Sequence, residues 1–267
     1  MNDIILMALA ATVGTWLVTA LGAATVVFFK TPSTRALNLM LGFSAGVMLA
    51  ASFWSLLQPA IERAEKALDT PAYLVVTAGF LFGCFFMWGA DKIVSCARSR
   101  AECMRGKPDE RFHRILMLIL SITLHNIPEG LAVGVAFGSL QGGRYSMDQL
   151  MGAVTIAVGI GLQNFPEGAA VSLPLRREGY SRKKCFWLGQ ASGMVEPVAG
   201  VIGALLVVRM ETVLPYALSF AAGAMILVAV HELIPECQKE QRKQPYFATM
   251  GIILGFAVMM LLDVMLG

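Results

Sequence analysis

Two hexapeptides hold most of the chemistry available to this chain: His125-Asn126-Ile127-Pro128-Glu129-Gly130 and Gln163-Asn164-Phe165-Pro166-Glu167-Gly168. They share one pattern and differ mainly in His against Gln at the first position. On a helix, His125 and Glu129 are i,i+4 and share a face, with Asn126 at i,i+3 from Glu129; Gln163, Asn164 and Glu167 repeat that geometry. Imidazole, carboxylate and amide together suit a borderline divalent cation such as Zn2+, with Cd2+, Fe2+, Mn2+, Co2+ and Ni2+ also conceivable. Two carboxylates from facing helices can bridge a pair of ions, whereas a Ca2+ or Mg2+ site would show more carboxylates and no histidine. Pro128 and Pro166 lack the amide that would close on the carbonyls of Leu124 and Leu162, so each is expected to kink and break its helix beside a carboxylate. One such box could be a satisfied contact between helices; two matching boxes in neighbouring apolar stretches argue for a site.

The elements that position these boxes must be apolar helices. The 267 residues are 57% hydrophobic and 15% charged, too apolar for a soluble domain of this size. Eight runs are long enough to cross about 30 Å of hydrocarbon: 4–29, 36–58, 73–95, 113–139, 148–175, 184–208, 213–235 and 246–266. The expected architecture is one all-α transmembrane domain with a single sizeable hydrophilic connection over 96–112, charged and expected to be mobile. Lipid offers the backbone no hydrogen bonds, and a barrel would show short alternating segments in place of continuous runs.

A polar or ionisable side chain at membrane depth costs roughly 2.5 kcal/mol or more unless it has a partner or lines a wet cavity. The boxes therefore read as functional. Of the 21 basic residues, Arg63, Lys66, Arg144 and Arg209 fall on one side of the eight runs and all the others on the opposite side. Basic residues collect in cytoplasmic loops, so both termini are expected outside the cytoplasm. The net charge of +3 then reports topology and not nucleic-acid binding. The first apolar run has no basic region before it and exceeds a signal peptide's core, so it reads as a retained helix. None of the five cysteines is placed for a disulfide; a Cys96/Cys103/His113 metal clasp competes with ordinary reduced thiols.

Further acids and soft ligands stand near the same depth. Glu196-Pro197, inside the sixth run, offers either a third acid to the site or the cap of a kink. Met48, in the second run, is one of 16 methionines, and packing explains it as well as a thioether ligand does. His231-Glu232-Leu233-Ile234-Pro235-Glu236 begins like the zinc-protease helix motif but puts Pro235 where the second histidine belongs. It reads as an exit site for metal or a polar helix end. Ser55, Glu62 and Asp263 on the opposite side are candidates for attracting cations at an entrance, or solvated charges.

At these residues the chain resembles the ZIP (Zrt-, Irt-like) divalent metal transporters, in particular the short GufA-like branch. The resemblance implies a binuclear mid-membrane site. Its first ion would use Met48, His125, Glu129, Gln163 and Glu167, and its second Asn126, Glu129, Asn164, Glu167 and Glu196. It also implies runs 1, 4, 5 and 6 moving as a unit against runs 2, 3, 7 and 8, usually in a homodimer. Two departures stand out: Gln163 and Asn164 where many relatives have histidine and some have aspartate, and a cytoplasmic loop whose only histidine is His113. The function expected is inward carriage of Zn2+, and of related divalent ions, across a bacterial cytoplasmic membrane. Metal is then substrate and not cofactor, with no catalytic residue. The competing readings are an intramembrane metalloprotease and a membrane metal sensor that does not transport.

Overall fold

The computed structural model describes residues 2–28, 33–67, 69–104, 110–140, 145–177, 179–238 and 246–266; within them, the side chains of 67, 97–104, 110–122 and 211 are not described. All regular structure among the described residues is helical. The helices are α1 (Asn2–Ala24), α2 (Thr34–Ala51), α3 (Gln58–Ala67), α4 (Ala72–Met104), α5 (Glu110–Gly138), α6 (Met147–Arg177), α7 (Arg182–Ala191), α8 (Val195–Arg209), α9 (Leu214–Val228), α10 (Ile234–Gln238) and α11 (Phe247–Leu266). A π turn, Ser52–Leu57, joins α2 to α3, and a second, Ala229–Leu233, joins α9 to α10. The tighter turn Ser192–Met194 joins α7 to α8. Each of these pairs is therefore one rod with an interruption.

Six segments are long and apolar enough to cross a membrane: Asn2–Val27, Thr34–Lys66, Ala72–Cys96, Arg182–Arg209, Leu214–Gln238 and Phe247–Leu266. This is the pattern of an integral, multi-pass membrane protein. The remaining long helices, α5 and α6, have 29 and 31 residues and contain the two polar boxes. α4 continues to Met104 and α5 begins at Glu110, so much of the connection expected over 96–112 is helix; residues 105–109 lie outside the described set.

The helices pack in four tight pairs, α1 on α6, α5 on α8, α2 on α11 and α4 on α9. Small residues make these approaches possible, since in lipid it is close packing that draws helices together. A Cβ added at Gly134 would overlap the backbone of Gly200 in the α5–α8 pair, and one at Gly168 would overlap Thr19 in the α1–α6 pair. Gly46 against Ile252 and Gly83 against Phe220 do the same for the other two. Across the groups, α2 meets α6 and α5 meets α9.

The prolines of the boxes do not break their helices. α5 runs through Pro128, and α6 through Pro166 and Pro174. A proline removes one rung of the hydrogen-bond ladder, and packed neighbours hold the rest of the helix in register. The interruptions fall on α2–α3 and α9–α10 instead, as π turns that end two residues before Pro59 and Pro235.

Candidate metal centre

α5 and α6 present their boxes to one another and to α1, α2 and α8, and every side chain of the expected ligand set is buried: Met48, His125, Asn126, Glu129, Gln163, Asn164, Glu167 and Glu196. The two boxes are bonded directly, Gln163 Nε2 donating to Glu129 Oε1. Asn126 donates through Nδ2 to the Ser192 carbonyl at 2.9 Å, on the turn between α7 and α8. Asn164 Nδ2 lies 3.0 and 2.9 Å from Oε1 and Oε2 of Glu196. Ser44 on α2 reaches both the Gln163 carbonyl at 3.3 Å and Glu167 Oε1, so the second box is held on this side as well. The structure thus brings the boxes and Glu196 into one cluster.

Four buried oxygens of this cluster have no hydrogen-bond partner: Asn126 Oδ1, Glu129 Oε2, Gln163 Oε1 and Asn164 Oδ1. Buried acceptors without donors are rare in folded proteins and cost about 1–3 kcal/mol each. A cation is the chemistry that would satisfy them together. Among the described residues, no three His, Cys, Asp or Glu side chains stand close enough to hold an ion by themselves. The donorless amide oxygens of Asn126, Gln163 and Asn164 are further ligands available here.

Met48 lies one helical turn beyond Ser44 on α2, and Ser44 Oγ donates to Glu167 Oε1 at 2.8 Å. Ser44 is thus the contact that ties α2 to the second box. Sequence reasoning misses it, and misses Thr15 and Thr19 on α1 as well. Thr15 Oγ1 donates to Glu196 Oε2 at 2.5 Å and Thr19 Oγ1 to Glu196 Oε1 at 3.4 Å.

The residues read as an exit divide. Glu232 belongs to the cluster: its Oε1 is 2.6 Å from His125 Nε2, a contact between α5 and the second π turn. His231 and Glu236 are exposed, and His231 Nε2 lies 4.0 Å from Asp91 on α4. The entrance residues do converge. Ser55, Glu62 and Asp263 line one cavity of about 450 Å³ together with Gln58, Arg63 and Gln149. Inside it, Ser55 Oγ donates to Asp263 Oδ1 at 2.5 Å, while Asp263 Oδ2 is buried without a partner. Of the conceivable Cys96/Cys103/His113 clasp, Cys96 is exposed and the side chains of Cys103 and His113 lie outside the described residues. Cys84, Cys96, Cys185 and Cys237 are free thiols.

The sequence pattern of the ZIP zinc transporter family matches residues 3–113 and 101–263. The chain is 39% identical to the human protein zinc transporter ZIP11, in an alignment covering 98% of each. It is 34% identical to zinc transporter GufA of Myxococcus xanthus over 93% of this chain and 94% of that one. To zinc transporter ZIPB of Bordetella bronchiseptica it is 36% identical, over 93% of this chain and 78% of the relative. With nearly its whole length matched and its twin boxes gathered into one buried, oxygen-rich cluster, the chain belongs to the ZIP zinc transporter family.

Proposed function

We propose that this protein carries Zn2+, and with it related borderline ions such as Cd2+ and Co2+, across a membrane toward the cytoplasm. The observation that carries the reading is the set of four buried, donorless oxygens on Asn126, Glu129, Gln163 and Asn164. Neutral amides and carboxylates strip an ion's hydration and balance its charge without covalent chemistry. The transported ion approaches through the cavity at Ser55, Glu62 and Asp263, is held among His125, Glu129, Gln163 and Glu167 with Met48 alongside, and leaves past Glu232 toward His231. Zinc transport by the named relatives over almost the entire chain supports this.

In this reading α5 and α6 span the membrane beside the six more apolar segments, making eight spans in a single domain. At 1.5 Å per residue, helices of 29 and 31 residues exceed the length a bilayer requires. The distribution of Lys and Arg puts both termini outside the cytoplasm. Alternating access is rigid movement of α1, α5, α6 and α8 against α2, α4, α9 and α11. Glycine-mediated backbone approaches stiffen each helix pair, the resemblance to the family supplies the division into two bodies, and the boxes lie on the moving one. The working form is a homodimer in a bacterial cytoplasmic membrane.

Uptake of a panel of divalent ions into proteoliposomes containing only this protein tests the proposal. Saturable zinc accumulation, competed by Cd2+, is expected. Zinc flux no greater than in protein-free liposomes would overturn it.

A further inference from the structure

The three buried amides of the cluster are engaged in the same way. Each has its nitrogen tied down: Asn126 Nδ2 by the Ser192 carbonyl, Gln163 Nε2 by Glu129 Oε1, and Asn164 Nδ2 by Glu196 at 2.9 and 3.0 Å, closer than its 3.3 Å approach to the Thr15 carbonyl. Each leaves its oxygen without a donor. A side-chain amide has two donor hydrogens and one acceptor oxygen, and the network around it decides which end faces which way. Here it turns three carbonyl oxygens the same way in chemical terms, as ligands for a cation. Their holders are correspondingly groups that accept.

Glu196 is unlike Glu129 in this respect. Glu129 keeps one buried oxygen without a partner. Both oxygens of Glu196 are engaged, Oε1 by Asn164 and Thr19, and Oε2 by Asn164 and Thr15. The Thr15 hydroxyl has a single hydrogen, and the 2.5 Å contact to Glu196 is shorter than its 3.0 Å approach to the Thr12 carbonyl. Glu196 is also walled in. A Cβ at Gly193 would stand 3.0 Å from Glu196 Oε1, and one at Gly130 would stand 2.8 Å from Glu196 Cα. With 0% exposure, the carboxylate is a sealed acceptor for donors from α1 and α6.

We infer that Glu196 does not touch the transported ion but holds Asn164 by its nitrogen, so that Asn164 Oδ1 faces the ion and the chain carries one divalent ion at a time. The Asn164 amide then occupies, with its donor hydrogens, the place on Glu196 that a second cation would take. This rests on the zinc-carrier reading above and narrows it. Glu196 becomes a positioning residue, and Asn164 the residue that sets the stoichiometry.

Equilibrium dialysis of the purified protein against radiolabelled zinc, to saturation, decides the matter. One ion per chain is expected for the wild type and for Glu196→Gln, whose amide oxygen can still accept from Asn164. Asn164→Asp removes the donor and adds a carboxylate opposite Glu196, and should raise the count to two. The visible absorption of bound Co2+ gives a second readout, which reports the ligand set. Glu196→Gln should keep the wild-type spectrum, while Glu196→Leu, which cannot accept, should shift it in the direction of Asn164→Ala. Two ions on the wild type, or a changed spectrum in Glu196→Gln, would make Glu196 a ligand and overturn the inference, as would a count of one in Asn164→Asp. Should the variants fail to fold, the wild-type count alone decides. Two ions with zinc uptake intact would refute only this inference, whereas a wild type that neither binds nor takes up zinc would refute the carrier reading itself.

Discussion

Replacing Glu232 by Gln should tighten zinc binding and slow its release. His125 Nε2 stands 2.6 Å from Glu232 Oε1, and a ring nitrogen so engaged offers no lone pair to an ion. Zinc can bind through Nε2 only after this contact is given up. A hydrogen bond to a charged group contributes about 1.5–3 kcal/mol and a neutral one about 0.5–1.5 kcal/mol, so an isosteric amide removes about 1 kcal/mol of competition. The Glu232 side chain keeps 27% of its exposure, and solvent screening places the effect at the low end of that range. A difference of about 1 kcal/mol corresponds to about fivefold in Kd. Titration of the purified protein against a competing chelator gives the affinity, and stopped-flow release into excess chelator gives the rate. A Kd lower by about fivefold is expected, carried by slower release. Unchanged affinity would show that His125 does not use Nε2 for the ion, and weaker binding would make Glu232 itself a ligand; either result refutes competition between Glu232 and the ion.

Zinc should stabilise the protein by relieving its donorless oxygens: at about one hundred times Kd the gain is about 2.7 kcal/mol. That corresponds to a rise of roughly 5 °C or more in Tm, and Glu129→Ala should lose it; an equal rise in that variant would contradict the site. Gly134→Val should destabilise by about 1–3 kcal/mol because its Cβ would overlap the Gly200 backbone. Gly152→Ala, with nothing within 4 Å of its Cβ, should be neutral or slightly stabilising in the same thermal unfolding assay. An impermeant thiol reagent applied to intact cells should leave Cys96 and Cys103 unlabelled until the cells are lysed. Labelling before lysis would reverse the proposed topology.

The boxes are legible in the sequence because polar residues in apolar helices have few structural uses, and a repeated arrangement has fewer still. The hydroxyls around them are not. Serine and threonine in a helix can satisfy themselves on their own backbone, as Ser52 does on the Met48 carbonyl at 2.7 Å and Ser219 on the Pro215 carbonyl at 2.7 Å. Nothing in the sequence separates these from Ser44, Thr15 and Thr19, which turn to Glu167 and Glu196. Only the approach of α2 and α1 to the boxes decides.

The position of Glu232 near a helix end points to the exit, yet its side chain reaches His125. A π turn adds a residue to the helical repeat and rotates the residues beyond it onto another face, and spacing alone does not disclose this. The expectation of broken helices at Pro128 and Pro166 fails for a related reason. A missing amide weakens one rung, and the packed neighbours of α5 and α6 determine whether the helix survives it. Family resemblance implies only the division of the helices into two groups; which helix pairs with which is not in the pattern, because a glycine's partner, such as Gly200 for Gly134, is fixed only when two rods meet.

The twin-box cluster is the proposed holding place of the transported ion, and Glu129 is its most exacting member, buried and carrying a donorless oxygen. The direct test is radiolabelled zinc uptake by proteoliposomes holding either the wild type or Glu129→Ala at matched protein content. Saturable uptake is expected for the wild type, and flux at the protein-free background for Glu129→Ala. A variant that moves zinc at the wild-type rate would place the transported ion elsewhere.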